Sequence, residues 1–280
     1  MSKFIDYKGE KNAIIYNTSD WHVGSIAFHE DAALKLIDKV IEEDAYLTFG
    51  GDALEGKPTK SNHFDPHSLK GDLLTIDRQA DYFVELLKPV ANHLLLLQLG
   101  NHELYLLPDL NVVEEICWKL GREDAYGDYQ SWVEFGDVTM HFWHGRPTMP
   151  RGAKDPIQRE ANQKAWLKNK MHGLAGSAQA QYMGHTHHCM VVPPIEQYAL
   201  LNGGDNVRGV YFKEQVRDID GQVWVPPDAR WYVNTGTLRR GGGFEHMDYS
   251  EIAGYTPPAI ACTRTEIEDG RIKNIEKVML

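Results

Sequence analysis

Polar side chains follow three apolar runs in the first half of the chain. In "LLLLQLGNHELY", Asn101 and His102 come directly after such a run. Asp20 and His22 follow "AIIYNTS", and Asp52 follows "AYLTFGG". Short apolar runs are typical of buried strands, and neighbouring strands of one sheet end close together. We therefore expect these side chains to converge.

Imidazoles in the middle of the chain extend this set. His144 lies in "FWHGR", and His185 and His187 lie in "MGHTHH". Together the candidates offer two carboxylates, one amide oxygen and several imidazoles, without a thiolate. This mixture suits Mn, Fe or Zn and is too rich in imidazole for calcium or for magnesium alone.

Seven donors exceed the needs of one ion. If Asp52 bridges, the donors divide into two sets: Asp20, His22, Asp52 and His187, and Asp52, Asn101, His144 and His185. Two ions about 3.5 to 4 Å apart polarise a phosphoryl group and hold a bridging hydroxide for in-line attack. His102 belongs to neither set and is free to assist the leaving group. We predict His102 and Asp52 as catalytic residues.

Alternating patterns predict the elements that position the first donors. Strand-like runs at 13–20, 45–52 and 94–99 alternate with helical spacing at 33–41, 73–87 and 112–120, the last with Asp109 as its cap. This order favours a mostly parallel sheet with helices outside it. The second half predicts a hairpin about Gly136, a helix over 156–171 and many short strands, ending in a hairpin over 259–280. A second, largely antiparallel sheet is expected there.

The ordered blocks D-x-H, G-D-x-x-E, G-N-H-E, H-G and G-H-x-H span residues 20 to 187. In this order they resemble the calcineurin-like metallophosphoesterases. The resemblance implies one domain over 1–280, an α/β fold with a four-layer α/β/β/α sandwich of two mixed sheets and flanking helices, and a two-metal site. It puts metal ligands at Asp20, His22, Asp52, Asn101, His144, His185 and His187, and the catalytic histidine at His102.

The activity implied is hydrolysis of a phosphodiester or monoester with two divalent transition-metal ions, Mn being favoured over Fe or Zn. A compact DNA-acting nuclease of the repair-exonuclease type is an alternative within the family. A non-catalytic scaffold on the same fold is a further alternative from another class, although every ligand position is filled. Read singly, Asp20 also fits a turn, and His144 a satisfied core histidine.

Charge bears on the substrate. The net charge is -11, yet residues 145–172 carry seven basic and two acidic side chains, a local +5 against -16 elsewhere. Arg146, directly after a proposed ligand, is a candidate to hold substrate phosphate. For the basic stretch as a whole, a solvated helix face is the favoured interpretation. The acidic remainder disfavours a long nucleic-acid footprint, and the sequence leaves open whether the loops 56–71 and 146–156 close over the site.

Composition restricts the class of protein. The chain has 280 residues, of which 42% are hydrophobic, as in an ordinary globular protein. Its apolar runs are far shorter than the roughly 20 residues of a membrane helix, so no membrane partner is expected. The three cysteines form no C-x-x-C pair, and the N-terminal residues lack a signal-peptide pattern. These features favour a cytoplasmic protein.

Overall fold

The computed structural model describes residues 3–7, 11–56, 66–150, 152–212, 217–219, 222–242 and 256–280. Within these ranges it contains two six-stranded sheets, two separate strand pairs and five α-helices. Both large sheets combine parallel and antiparallel pairings. The predicted mixed α/β class with two mixed sheets is confirmed.

The first sheet carries the three predicted N-terminal strands. In spatial order it contains β16 (Arg271–Met279), β15 (Ala261–Glu268), β2 (Ala13–Thr18), β3 (Tyr46–Phe49), β4 (Leu94–Gln98) and β5 (Tyr126–Gly127). Strands β2 to β5 run parallel, as predicted. The closing hairpin β15–β16 joins this sheet, with β15 antiparallel to β2. We had expected this hairpin in the second sheet. The pairing of β15 with β2 could not be predicted, because no local pattern encodes a pairing between strands so distant in sequence.

The second sheet contains, in spatial order, β1 (Lys3–Tyr7), β6 (Gln130–Phe135), β7 (Val138–Trp143), β8 (Ala180–Met183), β14 (Trp231–Thr235) and β9 (Cys189–Val192). The hairpin β6–β7 turns at Gly136, as predicted. The expectation of a largely antiparallel sheet is wrong, since β1–β6, β7–β8 and β8–β14 are parallel pairs. Helix α5 (Pro156–Met171) lies between β7 and β8 in the chain, and such a crossover returns the chain in the same direction.

Two further strand pairs stand apart from the large sheets. They are β10 (Gln197–Asn202) with β11 (Val207–Phe212), and β12 (Arg217–Ile219) with β13 (Gln222–Trp224).

The remaining helices are α1 (Glu30–Glu42), α2 (Ile76–Leu87), α3 (Asn101–Leu104) and α4 (Val112–Lys119). Short 3-10 turns span Pro66–Ser68, Lys88–His93, Glu123–Ala125 and Pro227–Ala229. The cap of α4 is Asn111, whose side chain accepts a hydrogen bond from the Glu114 amide at 3.3 Å. Asp109, predicted as the cap, lies too far before the helix. None of the helices in the described ranges combines the length and apolarity needed to cross a bilayer.

Three apolar clusters hold these elements together. Strand β4 is buried on both faces: Leu94 and Leu97 pack with the helices α1, α2 and α4, whereas Leu95 and Leu96 pack with the second sheet. This double burial explains the uninterrupted apolar run. A third cluster places Leu167 of α5 on the other face of the second sheet.

Candidate metal centre

All seven predicted donors lie just past strand ends and come together. Asp20 follows β2, Asp52 follows β3, Asn101 follows β4, His144 follows β7 and His185 follows β8. The carboxylates and His144 are at most 2% exposed. The structure thus brings donors from both sheets to one buried cluster, as the sequence predicted.

The first predicted set surrounds Asp20. Ligand atoms of Asp20, His22 and His187 all lie within 4.8 Å of one another. Nε2 of His187 is 3.3 Å from Oδ1 of Asp20 and 3.1 Å from Nε2 of His22. Donors that share an ion at a bond length near 2.1 Å lie about 3 Å apart. These three side chains therefore fit one ion with small adjustments.

The second predicted set is at least as tight. Nε2 of His144 is 3.2 Å from Oδ2 of Asp52 and 3.2 Å from Oδ1 of Asn101. Nδ1 of His185 is 2.6 Å from the same Asn101 oxygen. Nδ1 of His144 lies 2.8 Å from the Gly50 carbonyl, and donating a proton there leaves Nε2 to face the cluster.

Asp52 lies between the two sets. Its Oδ2 is 3.2 Å from Nε2 of His144 in the second set and 3.9 Å from Nε2 of His22 in the first. Its Oδ1 accepts a hydrogen bond from the His102 amide at 2.9 Å. Asp52 is thus in contact with both groups that could hold an ion.

The backbone at the candidate ligands is unusual. Five of them have a φ between 52° and 66°: Asp20, His22, Asp52, His185 and His187. Only two other described residues besides glycine have a positive φ, Asp44 and Asp269. Left-handed backbone at such residues costs free energy and clusters at functional sites. Here it turns each side chain sharply back over the end of its strand.

His102 lies beside both sets without belonging to either. Its Nε2 is 4.0 Å from Oδ2 of Asp52, and its side chain is 15% exposed. Its Nδ1 lies 2.5 Å from the Glu55 carbonyl. Donation of the Nδ1 proton to that carbonyl orients the ring with Nε2 towards the cluster. Nδ1 of His22 lies 3.1 Å from the Glu55 carboxylate, so Glu55 contacts two of the imidazoles.

Glu103 fixes the loops that carry the donors. Its carboxylate is fully buried and accepts three backbone amides: Gly100 at 2.8 Å, Asp52 at 3.1 Å and Leu54 at 3.0 Å. Glu103 is the last residue of the G-N-H-E block. A glutamate that binds backbone amides of a loop 49 residues away leaves no spacing pattern by which it could be found.

Residues in β14 and just after it support the cluster from the second sheet. Thr237 donates its hydroxyl to the Asp20 carbonyl at 2.6 Å. Asn234 donates to the Gly184 carbonyl at 3.3 Å and to the Thr186 hydroxyl at 2.7 Å, which holds the loop of His185. These polar contacts lie in the "VNTGT" segment that follows Tyr232.

Electrostatics couple the donors strongly. Burial raises the pKa of Asp52, but the His144, His102 and His22 imidazoles together outweigh it and hold that pKa well below its usual range. Burial disfavours charged His144, but Asp52 and Asp20 outweigh this and raise its pKa to about 10. Burial lowers the pKa of His22 to about 4. The carboxylates of the cluster thus favour cation binding, whereas a charged His144 has to lose its proton before it can bind a cation.

Arg146 is exposed and lies next to the second set. Its guanidinium carbon is 5.6 Å from the centroid of the Tyr105 ring. The rest of the basic segment is partly neutralised: Lys164 pairs with Glu160 at 2.8 Å, and Lys168 pairs with Asp228. Two of the seven basic side chains in 145–172 therefore have acidic partners.

The other histidines lie outside the cluster. His141 is fully buried, and its Nε2 is 2.8 Å from Nε2 of Gln130, consistent with the structural role we expected. His188 is half-buried and His67 is exposed. His63 lies outside the described residues.

The two candidate lid loops are described in part, since 57–65 and 151 lie outside the described ranges. The described end of the first loop is held at the site, because the Lys70 amide donates to the Gly24 carbonyl at 2.8 Å.

Known proteins add no constraint to this geometry. No protein-family model matches the chain, and no curated protein matches it.

Proposed function

We propose that the protein is a two-metal-dependent phosphoesterase that hydrolyses a phosphodiester or monoester bond. The observation that carries the proposal is the position of Asp52. Its carboxylate contacts candidate ligands of both sets and lies 4.0 Å from Nε2 of His102. His102, a candidate for proton transfer, thus lies beside two groups of side chains that could each hold a cation, and this arrangement supports phosphoryl transfer to water.

The donor chemistry supports two divalent transition ions, with Mn favoured and Fe or Zn accommodated. Asp20, His22, Asp52 and His187 would hold one ion, and Asp52, Asn101, His144 and His185 the other. When bound, such ions polarise the phosphoryl oxygens and activate water. The protein contributes the positions of the donors, because its buried side chains and left-handed backbone fix this geometry before an ion or substrate binds.

His102 acts on the leaving group in this proposal. Burial lowers the pKa of His102, but the Asp52 and Glu55 carboxylates outweigh it and the pKa is raised. A raised pKa favours the protonated imidazole, the form that a general acid needs. Nδ1 of His102 contacts the Glu55 carbonyl, and this contact orients the ring so that the proton on Nε2 points towards the cluster.

The three apolar clusters support the finer fold that the family resemblance implies. Helices α1, α2 and α4 cover one sheet, α5 covers the other, and the two sheets share a core. We propose a single domain with the four-layer α/β/β/α order, acting in the cytoplasm on a phosphoester substrate.

Hydrolysis of bis-p-nitrophenyl phosphate by the purified protein with added Mn tests the proposal. We expect Asp52→Asn and His102→Ala to lose a hundredfold or more in kcat, in the range of about 10² to 10⁴ for general acid–base groups. His172→Ala is the control, since His172 is exposed and outside the cluster. Unchanged activity in both site variants would contradict the assignment. Two bound ions without activity on any ester would favour the scaffold.

A further inference from the structure

Two tyrosines and Arg146 lie beside the second set of donors. The Tyr129 ring centroid is 6.2 Å from that of His144, and the Tyr129 hydroxyl donates to the Gly145 carbonyl at 2.8 Å. Tyr105 directly follows α3, which begins with Asn101 and His102. These three side chains therefore form a surface continuous with the candidate centre.

Arg146 presents its exposed guanidinium on this surface. Its guanidinium binds the Tyr129 hydroxyl and lies over the Tyr105 ring. Among the described residues it forms no ion pair with a carboxylate. A guanidinium that is fixed by aromatic contacts and keeps its charge is suited to an anionic oxygen of a ligand.

Tyr105 presents an open aromatic surface. The residue is 61% exposed although a guanidinium already lies over its ring. A ring anchored in this way, at the edge of a phosphoester site, is suited to stacking with a planar base. Among the described residues, the other exposed aromatic side chains lie elsewhere: Trp118 on α4 and Tyr198 on the separate pair β10–β11.

We propose that Tyr105 and Arg146 form a nucleoside subsite, so that the substrates are nucleoside phosphodiesters; this rests on the proposed phosphoesterase function. Arg146 binds a phosphate oxygen that does not react, and Tyr105 stacks with the base. In the reaction a water oxygen bonds to phosphorus and the bond from phosphorus to the leaving oxygen breaks. One proton of the water is transferred to the leaving oxygen, and the products are an alcohol and a phosphomonoester.

Charge restricts the length of the substrate. Beyond Arg146, Lys164 and Lys168 are paired with acidic side chains, and the net charge of the chain is -11. A long polyanion that reached beyond the basic segment 145–172 would meet repulsion from the acidic remainder of the chain. A dinucleotide or the end of a single strand supplies the same base and phosphate without that cost.

The test compares two esters that share one leaving group: thymidine 5′-(p-nitrophenyl phosphate) and methyl p-nitrophenyl phosphate. Stacking of one base on an aromatic side chain corresponds to a factor of about 5 to 150. We expect kcat/KM to favour the nucleoside ester by such a factor. Tyr105→Ala should bring the ratio towards one, Tyr105→Phe should preserve most of it, and Tyr198→Ala should leave it unchanged.

A ratio near one in the wild type, or one insensitive to Tyr105→Ala, overturns the subsite while the phosphoesterase function stands. Failure of the wild type to hydrolyse either ester with Mn overturns both. Rates of hydrolysis of a dinucleotide and of a single-stranded 12-mer are then compared at equal concentration of ends. This comparison shows whether the base and phosphate come from a dinucleotide or from the end of a strand. Binding of either to the Mn-loaded protein, weakened by Arg146→Ala, supports the subsite through a readout other than turnover.

Discussion

Nε2 of His144 lies 3.2 Å from Oδ2 of Asp52, and both side chains are almost completely buried. The carboxylate stabilises the charged imidazole so strongly that the pKa of His144 is raised to about 10. In the metal-free protein at pH 7 this contact is therefore an ion pair, and a cation that binds here must displace the proton.

Binding of Mn should accordingly release protons. Near pH 7 the apparent affinity of the second set should rise about tenfold per pH unit for one displaced proton. Calorimetric titration of chelator-treated protein in two buffers of different ionisation enthalpy measures this directly. A heat of binding that is the same in both buffers would contradict the ion pair.

Replacing Glu103 should lower the free energy of unfolding. In Glu103→Gln an amide NH₂ replaces one of the oxygens that accept backbone amides, so at least one buried donor loses its partner, at a cost of about 1–3 kcal/mol. Urea unfolding of the metal-free protein measures the loss. Glu115→Gln, in an exposed pair with Lys119, should change stability by less than about 0.5 kcal/mol. Equal effects of the two variants would show that the three hydrogen bonds are unimportant.

Gly100 permits the close approach of two loops. A Cβ at this position would overlap the backbone nitrogen and Oδ1 of Asp52. We expect Gly100→Ala to displace Asp52 and to lower the number of bound Mn ions from two to at most one. Gly173→Ala is the matched control, because its Cβ would meet nothing within 4 Å. Full metal content in Gly100→Ala would contradict the geometry.

His141 should make stability depend on pH away from the centre. Burial lowers its pKa to about 4, below the value near 6.5 of the unfolded chain. The stabilisation is therefore complete above about pH 6.5 and is lost as the pH falls towards 4. Between pH 7 and 5 the free energy of unfolding should drop by about 2 kcal/mol from this group.

His141→Gln should remove this part of the drop, measured by urea unfolding with a chelator present. An identical pH dependence in the wild type and the variant would rule out a buried neutral imidazole as its source.

Local patterns predicted the elements that deliver the donors. The apolar run at 94–99 forms β4, and the predicted helix 156–171 coincides with α5, because burial on two faces and helical spacing are properties of short segments. The convergence of the donors followed from their place after parallel strands. Their metal-binding role stays a prediction.

Contacts between residues far apart in the chain could not be predicted from the sequence. The pairing of β15 with β2 joins residues about 250 positions apart, and the amides bound by Glu103 belong to two different loops. The proposed subsite at Tyr105 also depends on a contact with Arg146, 41 residues further along the chain. Such contacts arise from packing of the complete fold rather than from the properties of one segment.

The centre takes Asp20 and Asp52 from loops of the first sheet and His144 and His185 from loops of the second. Ions held by both groups would act as a brace between the sheets. Separating the sheets would then require loss of the ions. The free energy of unfolding of the core would therefore depend on the concentration of free metal. The outlying pair β10–β11, which shares no ligand, would gain nothing from that brace.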